Sequence, residues 1–294
     1  MRTRTGQARP RSSRRGFTLV ELLVVITIIA VLAALGTAAF QRVRVAGKRT
    51  ATVSDINNMN MAVTKFKQDF FNPPQYMRFP KTTPPNLTGT AVQNAEMDAG
   101  YAILQSMFRA YGSGLGASVA LPLIPFGAVT DMRGSTISAS QCLVFFLGGP
   151  QLQGFDSTGP YTPAGTSKKG PYMEFSDINR ISAANEYLDT WGTPYAYFST
   201  GRSDRYDILA SQTIGGVLMR PFQDSTKKWV NAGGVQIISA GPNQVHGPGS
   251  QYTAGPPALL VPWVPETAPY GPGDAGEDDI ANFNGGLQLG SSSR

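Results

Sequence analysis

The chain opens polar, turns apolar without a break, and then becomes apolar on one face only. From Phe17 to Phe40 the only charged position is Glu21. At about 1.5 Å rise per residue, a helix over residues 17–40 would span the roughly 30 Å hydrocarbon core of a bilayer, so a transmembrane segment is expected there. After Gln41-Arg42-Val43-Arg44 the pattern changes. Ile56, Met59, Val63, Phe66 and Phe70 recur at spacings of three and four, the stripe of a helix that packs one side on a core. Asn72-Pro73-Pro74 ends it, because proline lacks the amide donor and restricts the residue before it. One helix over residues 17–71, roughly 80 Å long, is therefore expected.

Between residues 72 and 175 the pattern loosens into a loop-rich insertion. Pro73, Pro74, Pro80, Pro84 and Pro85 crowd its start, and glycines such as Gly112, Gly114 and Gly116 punctuate the rest. Two pieces carry order. Residues 97–110 read as a short helix through Ile103, Leu104, Met107 and Phe108; residues 141–147, closed by Gly148-Gly149, read as a buried helix or strand. Residues 176–294 are strand-like, with short β candidates at 195–198, 206–209, 216–219 and 235–238. Gly233-Gly234 is placed to turn Lys228-Trp229-Val230 back onto the last of these. The expected fold class is α+β, a long N-terminal helix packed on a C-terminal domain with a small antiparallel sheet and long loops.

Charge changes this picture in one place. The chain has 25 Lys+Arg against 19 Asp+Glu, but Arg2, Arg4, Arg9, Arg11, Arg14 and Arg15 all lie in residues 1–16, where there is no acid. Without that leader the charges balance, and a neutral body argues against nucleic acid as a partner. Arginines before an apolar span predict a cytoplasmic leader and a body outside the cytoplasm.

Candidate chemistry is sparse. Cys142 is the single cysteine and His246 the single histidine, so neither an internal disulfide nor a Cys/His metal cluster is available. Cys142 sits in an apolar run and reads as a packed thiol. No phosphate-binding glycine loop, nucleophile elbow or zinc-binding HExxH helix occurs, and the chain is not expected to be an enzyme.

Glu21 needs a partner, because an ionised side chain inside an apolar run is costly unless paired. A secretory signal peptide would have a shorter apolar core and a small-residue cut site after it, whereas here Gly16 comes before. The run Gly16-Phe17-Thr18-Leu19-Val20-Glu21-Leu22-Leu23-Val24-Val25 resembles the cleavage and methylation motif of type IV pilins and type II secretion pseudopilins. That resemblance implies that a prepilin peptidase removes residues 1–16 by cutting between Gly16 and Phe17, and that the new amine of Phe17 is methylated. It also implies that Glu21 pairs with the terminal amine of a neighbouring subunit during assembly, a buried pair that sets register.

A second resemblance lies in the last third. Tyr187-Leu188-Asp189-Thr190-Trp191-Gly192-Thr193-Pro194-Tyr195, then Ile238-Ser239-Ala240-Gly241-Pro242-Asn243, then Asp278-Asp279-Ile280-Ala281-Asn282-Phe283 follow the order of segments in the major pseudopilins of type II secretion. There the loop and the late acidic pair bind calcium together, so the resemblance implies calcium as a cofactor, held by Asn243, Asp278 and Asp279. Asn243 departs from that family's aspartate. Its amide still offers a carbonyl oxygen, but one negative charge fewer weakens a site for a hard cation, and Asp274 or Glu277 would compensate. The middle of the chain matches neither resemblance.

Two functions from different classes follow. The first is a structural subunit that polymerises through its N-terminal helix into a secretion pseudopilus or pilus-like filament. Its partners would be copies of itself, the peptidase, the assembly machinery and, before assembly, membrane lipid. It would be a single-pass inner-membrane protein with the C-terminal domain outside the cytoplasm. The alternative is a membrane-anchored extracytoplasmic binding module that uses the pilin-like start for export. Ala30, Ala33, Ala34, Gly36, Ala38 and Ala39 permit close approach of helices and favour assembly.

Overall fold

The helix-compatible run from Leu19 onward forms one 51-residue helix, α1 (Leu19–Asp69), in the computed structural model. The structure describes residues 17–80, 82–83, 90–108, 119–120, 126–127, 129–156, 168–175, 177–203, 206, 212–223, 228–247, 251–252, 260–261, 276–284 and 288–289. The chain divides into two units, Met1–Gly47 and Lys48–Arg294.

In the first unit every described side chain is exposed. Phe17 and Leu19 are 76% and 80% exposed, and the apolar side chains through Leu32 follow suit. The hydroxyl of Thr27 donates to the carbonyls of Leu23 (3.1 Å) and Val24 (2.8 Å), and that of Thr37 donates to Ala33, so these polar groups are satisfied within the helix. Among the described residues no helix is long and apolar enough to cross a membrane. The continuous apolar stretch with described side chains covers residues 19–34, short of the roughly 20 residues a span needs; those of Leu35, Gly36, Ala38 and Ala39 lie outside the described residues.

The second unit is built on the rest of α1. Ile56, Met59, Ala62, Val63 and Phe66 are buried along one face, as the three-four spacing requires. The helix ends at Asp69, ahead of Asn72 and the two prolines. Against this stripe lies α3 (Ser140–Gly148), with Cys142 and every residue from Leu143 to Gly148 buried. The expectation over 141–147 left helix and strand open; the segment is a helix. Phe66 is the hub of the contact, its ring centroid 5.0–6.4 Å from those of Phe70, Phe71, Phe146, Phe155 and Tyr172. Edge-on arrangements dominate, as ring quadrupoles favour. Phe66→Ala should therefore lower the stability of residues 48–294 by about 3–5 kcal/mol, since the surrounding rings cannot collapse into the vacancy. Urea unfolding measures this, and a loss below about 1 kcal/mol would remove Phe66 from the core.

A second helix, α2 (Ala91–Met107), starts earlier and stops sooner than the expected 97–110. Its inner face is Met97, Leu104 and Met107, whereas Ala91, Val92 and Ala95 in the first turns are exposed. Its apolar periodicity therefore begins only where the helix meets the core.

The sheet is three-stranded and antiparallel, with Val235–Ser239 between Ala196–Ser199 and Ile280–Ala281. All its residues are buried, and successive ones face opposite ways. Tyr197, Val235, Ile237 and Ile280 join the core on α1, while Ala196, Phe198, Ile238 and Ala281 join a second cluster with Tyr206, Met219, Phe222 and Leu289. Two buried glutamines finish the pairing. The Gln212 amide bonds both the N–H and the carbonyl of Tyr197, and the Gln236 amide does the same for Phe222. Gln212 thus supplies the edge strand Ala196–Ser199 with the donor and acceptor that another strand would supply, which blunts that edge.

The strand at 216–219 is Val217–Met219, in a hairpin with Gln212–Ile214. Of the strand expected over 206–209, all but Tyr206 lies outside the described residues. The hairpin expected between 228–230 and 235–238 does not form. Gly233 turns the chain, with φ at +72°, but Trp229 bridges to Gln223 and the neighbour of Val235–Ser239 is Ala196–Ser199. A turn of the right length does not set which strands pair when a better buried partner is available. The fold is α+β.

Candidate functional site

Two groups of residues carry the candidate chemistry, one in each unit. At the start of α1, the carbonyl of Thr18 accepts the first helical bond, from Leu22 N–H at 3.2 Å. Glu21 folds back onto Thr18. Its Oε2 accepts the Thr18 backbone N–H and the Thr18 hydroxyl, each at 2.8 Å, while the Glu21 N–H donates to Thr18 Oγ1 at 3.2 Å. This reciprocal arrangement is a capping box, which satisfies donors that a helix start leaves without intrahelical acceptors. Within one chain, then, the partner of Glu21 is Thr18. Thr18 escaped the sequence reading although its signal, Thr-x-x-Glu ahead of an apolar run, was present. Phe17 lies exposed just before the helix, and Gly16 lies outside the described residues.

The second group forms where the sheet ends. Pairing of Ser239 with Ile280 brings residues 240–247 alongside the acidic pair. The approach is close at Gly241, whose φ is +68° and where a Cβ would stand 2.2 Å from the Asp278 carbonyl oxygen, so only glycine fits. Asn243 N–H donates to Asp278 Oδ2 at 2.8 Å, and Gly247 N–H donates to Asp279 Oδ2 at 2.9 Å. Asn243 Oδ1 accepts Val245 N–H at 2.7 Å and so shapes its own loop. The structure thus brings Asn243, Asp278 and Asp279 together. Asp274 lies outside the described residues, and Glu277 is half-buried beside them.

Each aspartate has an oxygen left over. Asp278 Oδ1 and Asp279 Oδ1 are buried with no hydrogen-bond partner. Burial pushes the Asp279 carboxyl well above its ordinary range; the Gly247 amide opposes this, and the neighbouring Asp278 and Asp189 reinforce it. Asp278 shifts the same way, again mainly through burial, against the opposing Asn243 amide. Two buried carboxylate oxygens without donors call for a proton or a cation.

Behind them, Asp189 braces the loop. Its Oδ1 accepts the N–H groups of Trp191 and Thr193, both at 2.9 Å, and its Oδ2 accepts the Ser239 hydroxyl at 2.6 Å. Ser239 Oγ in turn accepts Gly241 N–H at 3.1 Å. His246, 1% exposed, lies with Nε2 3.0 Å from the Pro194 carbonyl. A carbonyl only accepts, so Nε2 carries the proton and Nδ1 is a buried acceptor with no partner. Burial holds the ring neutral, lowering its pKa to about 4. Neither Asp189 nor His246 was read from sequence as part of this site.

The donor set suits calcium better than a transition metal. Among the described residues no group of three or more His, Cys, Asp or Glu side chains is placed to hold a metal ion. Two carboxylates beside an amide oxygen are hard oxygen ligands. Asp278 Oδ1 and Asp279 Oδ1 are the atoms that fit.

Comparison with known proteins identifies one feature. The family described as the prokaryotic N-terminal methylation motif matches residues 11–37. No curated protein and no solved structure matches the chain. The chain therefore has a pilin-like N-terminus of the kind processed by prepilin peptidase.

Proposed function

We propose that the chain is a structural subunit of a type II secretion pseudopilus or a type IV pilus-like filament, assembled through α1 once residues 1–16 are removed. The observation that carries this is the coincidence of the methylation motif over residues 11–37 with a row of exposed apolar side chains from Phe17 to Leu32. So much contiguous apolar surface needs cover, from lipid before assembly and from the helices of neighbouring copies after it. In this reading residues 17–40 sit in the inner membrane before assembly, and the unit Lys48–Arg294 lies outside the cytoplasm. Electron microscopy of material purified from the native host tests it. Filaments bearing this chain are expected, and a protein found only as dispersed monomers would overturn the reading.

The same proposal assigns calcium to Asp278, Asp279 and Asn243. Its support is the pair of orphaned carboxylate oxygens at the junction of two loop segments. An ion that binds only the folded state raises the melting temperature with its concentration. Residues 48–294 should melt several degrees higher in millimolar calcium than in chelator, about 3 kcal/mol of linkage at a hundredfold excess over Kd. Magnesium should do less, because it demands a tighter octahedral shell. An equal midpoint in calcium and chelator, or an Asp278→Ala/Asp279→Ala double variant with an undiminished response, would remove the ion.

A further inference from the structure

Asp189, 2% exposed, lies behind the loop that meets Asp278 and Asp279. Its donors, the Trp191 and Thr193 N–H groups and the Ser239 hydroxyl, are all uncharged. Among the described residues none of Asp189, Asp278 and Asp279 is in an ion pair. We propose that Asp189 is a positioning residue for the calcium site, holding the loop against the acidic pair and supplying from behind it the negative charge that Asn243 does not. The inference rests on the calcium reading above and extends it to a residue that is not itself a ligand.

The hydrogen bonds carry the first half. Asp189 Oδ2 accepts the Ser239 hydroxyl at 2.6 Å, and Ser239 Oγ accepts Gly241 N–H at 3.1 Å, so two bonds separate Asp189 from the point where the loop touches the acidic pair. At that point even a Cβ on Gly241 would stand 2.2 Å from the Asp278 carbonyl oxygen. His246 adds a second tie through its 3.0 Å bond to the Pro194 carbonyl, which fixes the far end of the same loop to the turn that Asp189 begins. Groups placed behind metal ligands in this way set the ligands' position.

Charge carries the second half. Burial pushes the Asp189 carboxyl up from its ordinary range, but the Ser239, Thr193 and Trp191 donors oppose this and suit the ionised form. Its field reaches the site, because it is one of two carboxylates that reinforce the effect of burial on Asp279. Calcium affinity follows the charge around the ion, and the amide of Asn243 contributes none. A buried carboxylate that lacks a cationic partner gains from a cation bound nearby.

The test is titration calorimetry of calcium and of terbium into the full chain in dodecyl maltoside micelles, a detergent without charged groups. Asp189→Asn keeps the shape of the turn and removes the charge. It should weaken calcium binding by about 10- to 100-fold, and terbium binding by more, since a trivalent ion loses more from a missing charge. Asn243→Asp keeps an acceptor for the Val245 N–H and adds a charge beside the pair, so the double variant should recover most of the loss. Ser239→Ala cuts the bond but keeps the charge, and should weaken both ions by a similar factor. Parental calcium affinity in Asp189→Asn would overturn the proposal, as would a loss that is equal for the two ions and that Asn243→Asp does not recover. If Asp189→Asn fails to fold by circular dichroism, Ser239→Ala decides, and parental affinity there overturns the proposal. A parent chain that binds no calcium would overturn the calcium reading itself, and this inference with it.

Discussion

Gly16→Val should leave the protein at full length in its native host, while the parent chain begins at Phe17. Intact-mass spectrometry reads both outcomes directly, with the parent showing loss of residues 1–16 and a methyl group on the new terminus. The expectation rests on the methylation motif over residues 11–37, and on the resemblance of Gly16-Phe17-Thr18-Leu19-Val20-Glu21 to pilin cleavage sites, which implies a cut after Gly16. Glycine is the only residue without a Cβ, so valine adds a branched side chain at the scissile bond, where a peptidase must bring its catalytic groups within about 3–3.5 Å. The effect should be close to all-or-none. In the filament proposal, uncut chains would stay in the membrane with six arginines on the cytoplasmic side. They have no free amine at position 17, and so nothing at that terminus to pair with a neighbour's Glu21. A parent chain that keeps residues 1–16 in its native host would sink this expectation and the filament proposal with it.

How legible the molecule was in its sequence depended on whether an element shows two different faces. The second half of α1 has both, a buried stripe and a charged side, and its pattern predicted which side packs on the core. In α3 nearly every position is buried, so no polar face marks a period, and helix could not be told from strand. In α2 the first turns pack on little, so periodicity began late. The sheet strands were legible as apolar runs, but their pairing was not. Trp229 goes to Gln223 because the central strand is already flanked on both sides by buried strands. Glu21 was conspicuous because it breaks an apolar run, while Thr18 was overlooked because a threonine there breaks nothing. Asp278 and Asp279 came from resemblance. That one oxygen of each is orphaned depends on where the Asn243 and Gly247 amides land, and no local pattern encodes that. Asp189 is a similar case. It reads as a turn residue, and only the fold carries it to Ser239, fifty positions away in the chain.

Glu21→Gln should abolish filaments while leaving export, cleavage and the helix start intact. This variant separates the capping role that the structure shows from the inter-subunit role proposed for Glu21. Within one chain Glu21 caps α1 by accepting the Thr18 N–H and hydroxyl. Glutamine at the same position still offers a carbonyl oxygen to those donors, since the capping box accepts Glu or Gln. What glutamine lacks is the negative charge that would meet the ammonium of a neighbouring Phe17. In the apolar interior of a filament that ammonium would then be buried without a counter-charge, and stranding one member of a buried pair is strongly destabilising. The penalty recurs at every subunit, so filament yield should fall by more than about tenfold. Thr18→Val is the complementary variant. It removes the hydroxyl from the cap and keeps the charge, and should cost only a modest fraction of the yield. Glu21→Val loses both cap and charge, and should be no better than Glu21→Gln. Quantitative electron microscopy of sheared filaments, with mass spectrometry to verify cleavage, ranks the three. Parental filament yield from Glu21→Gln would refute the inter-subunit pair and reduce Glu21 to a helix cap. A Thr18→Val yield as low as that of Glu21→Gln would mean that the shape of the helix start, rather than its charge, governs assembly.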